Sequence, residues 1–450
     1  MRTTSALGAA ALLAVLPVAV HAQTATATES VTEKNTTIVI KEAPKPSPVT
    51  FTPYGFVLLN AFFNDSAGAR NYPFPSVCTG GAQCEGNILM DVRQSRVGTR
   101  LAFNDKAGWT GATLSALLEI DFQGGYNGTP TGSFGFYSPI VRLRKAYMDA
   151  AWGTESKFTI RAGQDDILTS QLRPVSLAYI ANPLFQYAGD LNGRSPMIAL
   201  RYDLTPKNGL NVSAAVAIAN PQDNTSADYG SQPGAAIDLG AGNRSRMPSF
   251  QGRVGAGFAK DGKQIAFVNV WGGLQKERFI QTSDDTAQDS TASIIGGDLT
   301  LNLWMFQALA SGYSAKGWDQ PGALGASQGI LPSATLVPGK TTYTINSLTA
   351  AQALGGWFQL SVRPIDAVQI YGGWGGTQSG MNQYAGTLFQ STAATAAATR
   401  VQNFTWAAGV IGYAGKNWRF SAEYARSTSY FLSSSDFSQG QFSINSQLVF

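Results

Sequence analysis

From Phe51 to the end of the chain, apolar and polar residues alternate in stretches of about ten, a length that spans a bilayer as a tilted strand. Between Lys157 and Gly163, the residues Phe158, Ile160 and Ala162 share one face, and Lys157, Thr159 and Arg161 share the other. That period of two marks a strand with one apolar and one wet face. The pattern predicts sixteen strands, near 54–63, 92–103, 109–122, 140–152, 156–163, 195–204, 209–219, 249–259, 263–274, 293–303, 304–314, 350–363, 366–375, 402–414, 416–427 and 441–450. Turn-formers such as Lys260-Asp261-Gly262-Lys263 and Thr205-Pro206-Lys207-Asn208 make the short connections, and the turn near Leu303-Trp304 fits least well. Long polar, glycine-rich connections (64–91, 123–139, 164–194, 220–248, 275–292, 315–349, 376–401 and 428–440) alternate with them. Alternating short and long connections are the rhythm of a membrane-spanning β-barrel.

The faces sort by charge. Val97, Thr99, Leu101 and Phe103 oppose Gln94, Arg96, Gly98 and Arg100. Leu114, Ala116, Leu118 and Ile120 oppose Thr113, Ser115, Glu119 and Asp121, and Trp418, Phe420, Ala422 and Tyr424 oppose Arg419, Ser421 and Glu423. A basic side chain facing mid-bilayer costs about 2–4 kcal/mol, so the charged face is expected to line a lumen. The fold class is therefore all-β, a 16-stranded antiparallel transmembrane β-barrel. A barrel of this size leaves a water channel, and no strand glycine or aromatic is expected to fill it. The third long connection, carrying Asp165, Asp166, Arg173 and Asp190, is expected to fold inward. One strand breaks the pattern: alternation puts Lys145 and Asp149 outward with Leu143 and Tyr147. Either a subunit contact buries that face or the register differs.

Composition agrees with a wall between oil and water. The chain is 44% hydrophobic with 49 glycines, but only 13% charged, against about 25% in an ordinary soluble domain. No stretch past the leader reaches the roughly 18 consecutive apolar residues of a membrane helix. Trp109, Trp152, Trp271, Trp357, Trp374 and Trp418 fall near predicted strand ends, where an indole suits the membrane interface or packs within the wall.

Residues 1–22 read as a secretory signal: Arg2, an apolar run from about Leu7 to Val20, then Val20-His21-Ala22 as a small-residue cleavage site. The competing reading, a membrane anchor, lacks a stop-transfer pattern. Residues 23–50 read as a periplasmic linker ending Pro44-Lys45-Pro46-Ser47-Pro48, a stiff extended segment. The barrel domain is then 51–450. Cys78 and Cys84 are the only cysteines, and export permits a loop disulfide between them. With His21 the sole histidine and lying in the leader, no metal set and no histidine general base remains in the mature chain. Catalysis, a cofactor and a metal are therefore not expected. The 32 basic residues, one of them Arg2, against 28 acidic give too mild a balance for nucleic acid.

The hairpin Arg142-Leu143-Arg144-Lys145-Ala146-Tyr147, a glycine turn and Arg161-Ala162-Gly163-Gln164 resembles the strand-four to strand-five hairpin of Gram-negative trimeric porins. Tyr54-Gly55-Phe56 is similar to their first strand. Arg93-Gln94-Ser95-Arg96-Val97-Gly98, with Glu119-Ile120-Asp121-Phe122, resembles the DcaP-type diffusion channels in particular. The end of the chain, with Phe442, Ile444, Leu448 and Phe450 alternating, resembles the insertion signal read by the barrel assembly machinery. The resemblance covers 51–204 and 440–450 and is architectural between them; the linker lacks the heptads of the DcaP-type coiled coil. It implies a homotrimer in outer-membrane lipid whose third loop narrows the pore. It also implies a basic wall matched here by Arg96, Arg100, Arg142, Arg144 and Arg161. The opposing pore acids would be Glu119, Asp121, Asp165, Asp166 and Asp190. Passive diffusion of small hydrophilic solutes and ions is the implied function; the inward arginines, suited to bidentate carboxylate or phosphate contacts, add a lean toward anions and carboxylates. A substrate-specific channel, or a loop-based adhesin or receptor, is the alternative. For the arginines themselves, the competing reading is that they mainly brace the wall and pair with the loop.

Overall fold

Alternation along the chain is carried through into exposure. On the last strand, Phe442, Ile444 and Leu448 are exposed, while Gln441, Ser443, Asn445 and Gln447 between them are buried. A computed structural model describes residues 49–66, 85–103, 111–124, 140–222, 228–229, 240–281, 286–318, 329–336, 343–385, 387, 396, 399–433 and 435–450. Its strands in chain order begin β1 (Val49–Asn64), β2 (Asn87–Asp91), β3 (Arg96–Phe103), β4 (Thr113–Asp121) and β5 (Arg142–Trp152). They continue β6 (Ser156–Asp166), β7 (Arg194–Leu204), β8 (Gly209–Ala219), β9 (Asp228–Tyr229) and β10 (Ser249–Lys260). Then come β11 (Lys263–Gln281), β12 (Ala287–Leu303), β13 (Phe306–Lys316), β14 (Ile330–Leu336) and β15 (Tyr343–Ala350). The last five are β16 (Gln352–Ile365), β17 (Val368–Ser379), β18 (Arg400–Ala414), β19 (Trp418–Phe431) and β20 (Phe437–Val449).

Sixteen of these close into one antiparallel barrel. β1 seals it, pairing with β20 from Phe56↔Val449 to Asn64↔Gln441 and with β3 from Val49↔Phe103 to Phe56↔Arg96. β8 pairs directly with β10, and β13 with β16, so β9 and the β14–β15 hairpin belong to the long connections. Closure leaves no unpaired edge in the bilayer, where each unsatisfied backbone group would cost several kcal/mol. The outer face is apolar from strand to strand: Ile198, Val216, Val254, Val270, Ile295, Leu360 and Ile370 are all exposed. Asp261 and Gly262 both take positive φ in the two-residue β10–β11 turn, the backbone that an Asp-Gly hairpin favours.

Four differences from the pattern have physical causes. Val49 and Thr50, assigned to the linker, already pair with Phe103 and Ala102 in β1. The second predicted strand is broken at 92–95, where Gln94 and Ser95 turn their side chains into other hydrogen bonds. Ser95 Oγ accepts the Leu58 N–H at 2.9 Å in place of a ladder partner. β11 and β12 run on past their predicted ends, from Gln275↔Ala292 to Ile280↔Ala287. That extension carries the exposed ion pairs Lys276–Asp289 and Arg278–Asp289 and no apolar stripe, so period two does not reveal it.

The fourth difference is in β5. Ile120 pairs with Leu143 but Glu119 pairs with Lys145, so Arg144 is the extra residue of a β-bulge. The bulge flips every later position. Lys145, Tyr147 and Asp149 therefore face the lumen and Met148 faces out, so the outward placement of the two charges is corrected without a subunit contact. Gly163 sits opposite Tyr147 at φ +130, where a Cβ would lie 2.2 Å from the Ala146 carbonyl oxygen. Residues 1–22, most of 23–50, Cys78, Cys84 and Trp109 lie outside the described residues.

Candidate functional site

The connection from β6 to β7 runs through the lumen. Leu177, Ala178, Leu184, Phe185 and Ala188 on it pack against Phe62, Trp357, Tyr371, Ala407, Ile411 and Ala425 of the inner wall. Phe185 stacks on Trp357 at 5.8 Å between ring centroids. Leu191 packs with Trp271, Ile294 and Tyr313. Trp271 and Trp357 thus lie inside the barrel, not at the membrane interface, and aromatics do occupy part of the lumen. Trp374 and Trp418 are exposed on the outside.

Polar wall residues hold the loop backbone. Gln94 Oε1 accepts the N–H groups of Ile180 and Ala181 at 3.0 and 2.8 Å, and its Nε2 donates to the Ala178 carbonyl at 2.7 Å. Gln359 exchanges two hydrogen bonds with Val175, at 2.7 and 2.8 Å. Glu423 accepts the N–H groups of Leu177 and Ala178, both at 3.0 Å, together with the hydroxyls of Ser176 and Tyr371. Asn403 donates to the Tyr187 carbonyl at 3.0 Å. A loop buried in a lumen must satisfy its backbone somewhere, and these amides and the carboxylate supply the partners.

Between this loop and strands β1, β3, β4, β5 and β7 a cavity of about 430 Å³ remains. Its lining carries Arg96, Arg100, Arg144, Lys145, Arg173 and Arg194, against Glu119 and Asp166, with Tyr54, Tyr147 and Tyr179 between them. Arg144 bonds both Glu119 and Asp121 at 2.9 Å. Arg142 binds Asp121 in bidentate fashion at 2.9 and 2.6 Å. Arg161 pairs with Asp149 at 2.7 Å and with Asp165, and lies 3.7 Å from the Tyr147 ring. Lys145 bridges Asp165 and Asp166 at 2.9 and 2.7 Å. The remaining cations are less neutralised. Arg96 lies 3.8 Å from Glu119, donates to the Ile180 carbonyl and keeps a buried Nε without a partner. Arg100 rests over the Tyr54 ring at 5.0 Å, and neither it nor Arg194 forms an ion pair among the described residues.

Ten residues were expected to meet here, and the structure divides them. Arg96, Arg100, Arg144, Glu119 and Asp166 line the cavity. Arg142, Arg161, Asp121 and Asp165 sit behind the lining, tied in ion pairs. Asp190 is buried in the loop, 3.1 Å from Arg173. Burial raises its carboxyl to about 7 despite that neighbour, and Asp298 and Asp166 add to the rise. The Tyr179 hydroxyl is likewise pushed well above its usual value by burial and then by Glu423, so it stays a donor to Gln441 at 2.8 Å. Alternation missed Lys145 because of the bulge. It also passed over Arg194, which opens β7 at the loop's end.

No family model and no curated relative matches this sequence. Solved structures do match. The outer membrane channel DcaP of Acinetobacter baumannii superposes with a TM-score of 0.64 at 14% identity, over 90% of this chain and 98% of that one. The anion-selective porin from Comamonas acidovorans gives 0.51 at 12% identity, over 89% of this chain and all of that one (100%). The likeness is one of architecture: this chain is a sixteen-stranded barrel of the Gram-negative outer-membrane porin fold.

Proposed function

We propose that the protein is a passive diffusion channel for small hydrophilic solutes and ions, with a preference for anions. The observation that carries this reading is the charge of the space between loop and wall: six cationic side chains line it against two carboxylates. Arginine forks suit carboxylate and phosphate oxygens. The opposed cations and acids also set a transverse field across the passage. Conduction requires weak binding and no covalent step, so the loss of His21 with the leader costs such a function nothing.

The same reading includes export by residues 1–22, insertion by the barrel assembly machinery through Phe442, Ile444, Leu448 and Phe450, assembly as a homotrimer, and a loop disulfide between Cys78 and Cys84. Reversal potentials of single channels in a potassium chloride gradient test the preference, and liposome swelling with small sugars tests the open pore. Anion preference with swelling is the expected result. Cation preference overturns the choice of ion, and absence of swelling overturns the channel.

A further inference from the structure

Away from the loop, near the short turns, a second cationic site stands on the opposite wall. Arg363, Tyr413 and Arg419 occupy inward positions on β16, β18 and β19. The Arg363 guanidinium lies 4.3 Å from the centre of the Tyr413 ring, and that of Arg419 lies 5.8 Å from it. Tyr413 pairs directly with Arg419 in the ladder, while Arg363 falls in the irregularity between Val362 and Ile365. Among the described residues neither guanidinium pairs with a carboxylate. Arg419 reaches only Gln447, at 3.4 Å, and its buried Nε has no hydrogen-bond partner.

The surrounding lumen surface is rich in amides. Tyr413 donates to Gln369 at 2.7 Å, Gln369 donates to Ser361 at 3.2 Å, and Gln307 donates to Asn302 at 2.9 Å. Two guanidinia over one ring repel each other, and the ring quadrupole offsets only part of that. An anion that contacts both guanidinia offsets that repulsion. Arg144 at the loop cavity differs from this pair, because Glu119 and Asp121 already share it.

We propose that Arg363 and Arg419, bracketing Tyr413, form a separate binding site for small oxyanions, carboxylate or phosphate, at the short-turn mouth of the barrel. It rests on the channel reading above and extends it. An anion leaving the loop cavity passes to a second weak site before reaching bulk water, and several weak sites in series let ions leave without a deep well.

The test is block of single channels by citrate, added to each face in turn. Labelling Lys260→Cys with an impermeant thiol reagent identifies the short-turn face. The comparison is between the unaltered channel and the Arg363→Gln/Arg419→Gln double variant, with Arg419→Gln alone as the fallback if the double fails to fold. Losing two charge-assisted contacts is expected to weaken block from the short-turn face about tenfold, with less than about twofold change from the other face. Unchanged block from the short-turn face, or equal loss on both faces, overturns the site. Failure of the anion reading itself is seen independently, as a cation-preferring reversal potential in the unaltered channel.

Discussion

The Glu423 carboxylate accepts the backbone N–H of Leu177 at 3.0 Å, across 246 residues of sequence. It pins the loop from β6 to the wall on the far side of the lumen, and among the described residues no basic side chain pairs with it. Glu423→Ala strands the N–H groups of Leu177 and Ala178 and the hydroxyls of Ser176 and Tyr371. Each buried group left unpaired costs about 1–3 kcal/mol. The expected outcome is a loop that leaves its seat: larger and noisier single-channel conductance, with faster hydrogen exchange at 177 and 178. Glu423→Gln keeps an acceptor and should give a milder change. Conductance and exchange unchanged in Glu423→Ala would show that the loop is held elsewhere.

The arginines divide into braces and filters, and two variants separate the roles. Arg144 joins Glu119 and Asp121, all three buried. Arg144→Met leaves those acids short of a partner, a loss of about 3–5 kcal/mol for a broken buried pair. It should lower the temperature at which the barrel unfolds on a heat-modifiability gel. Among the described residues Arg100 has no ion pair to lose. Arg100→Gln should leave that temperature nearly in place and shift the reversal potential toward lower anion preference. The opposite assignment of the two effects would reverse the roles.

Asp190 makes loop seating depend on pH. Its carboxyl is raised to about 7 in the folded protein, against the usual 3.8. The folded state therefore holds this proton where the unfolded chain has lost it. The stabilisation is complete below the unfolded value and is lost as pH rises through about 7. Thermal unfolding of the barrel should occur at a higher temperature at pH 5 than at pH 8 on account of this group. Asp190→Asn should flatten that part of the profile. A profile identical in the variant would remove Asp190 as its source.

Much of the barrel was legible because a bilayer wall allows one face per parity. A single inward position such as Arg253, paired with Asp298 at 2.5 Å, fixes the orientation of its whole strand. What escaped was whatever breaks parity. One extra residue at Arg144 moved Lys145, Tyr147 and Asp149 into the lumen, and nothing in the local pattern marks a bulge. Alternation runs unbroken through 92–95, although Gln94 and Ser95 there serve the loop and β1. The site was half legible for the same reason. Alternation gives which side a residue faces, but not whether an inward arginine meets the passage, as Arg100 does, or is spent on an acid behind it, as Arg142 is. The loop's partners were the least legible of all, since Gln94, Gln359 and Asn403 read as ordinary polar wall residues until their bonds across the lumen are seen.

Val254 and Arg253 are neighbours on β10 that point in opposite directions. Val254 is 58% exposed on the apolar outer face, whereas Arg253 reaches inward to Asp298. If that outer face meets acyl chains, an arginine at 254 costs about 2–4 kcal/mol near the bilayer midplane. Val254→Arg should therefore fold poorly into phosphatidylcholine vesicles, with a lower fraction of the compact band on a gel. An outward position facing water would tolerate the same change within about 0.5 kcal/mol. Val254→Leu controls for packing and should fold as the parent does. Equal folding of Val254→Arg and Val254→Leu in vesicles would mean that this face does not lie in lipid, and the inward direction of Arg253 and Arg419 would have to be reconsidered with it.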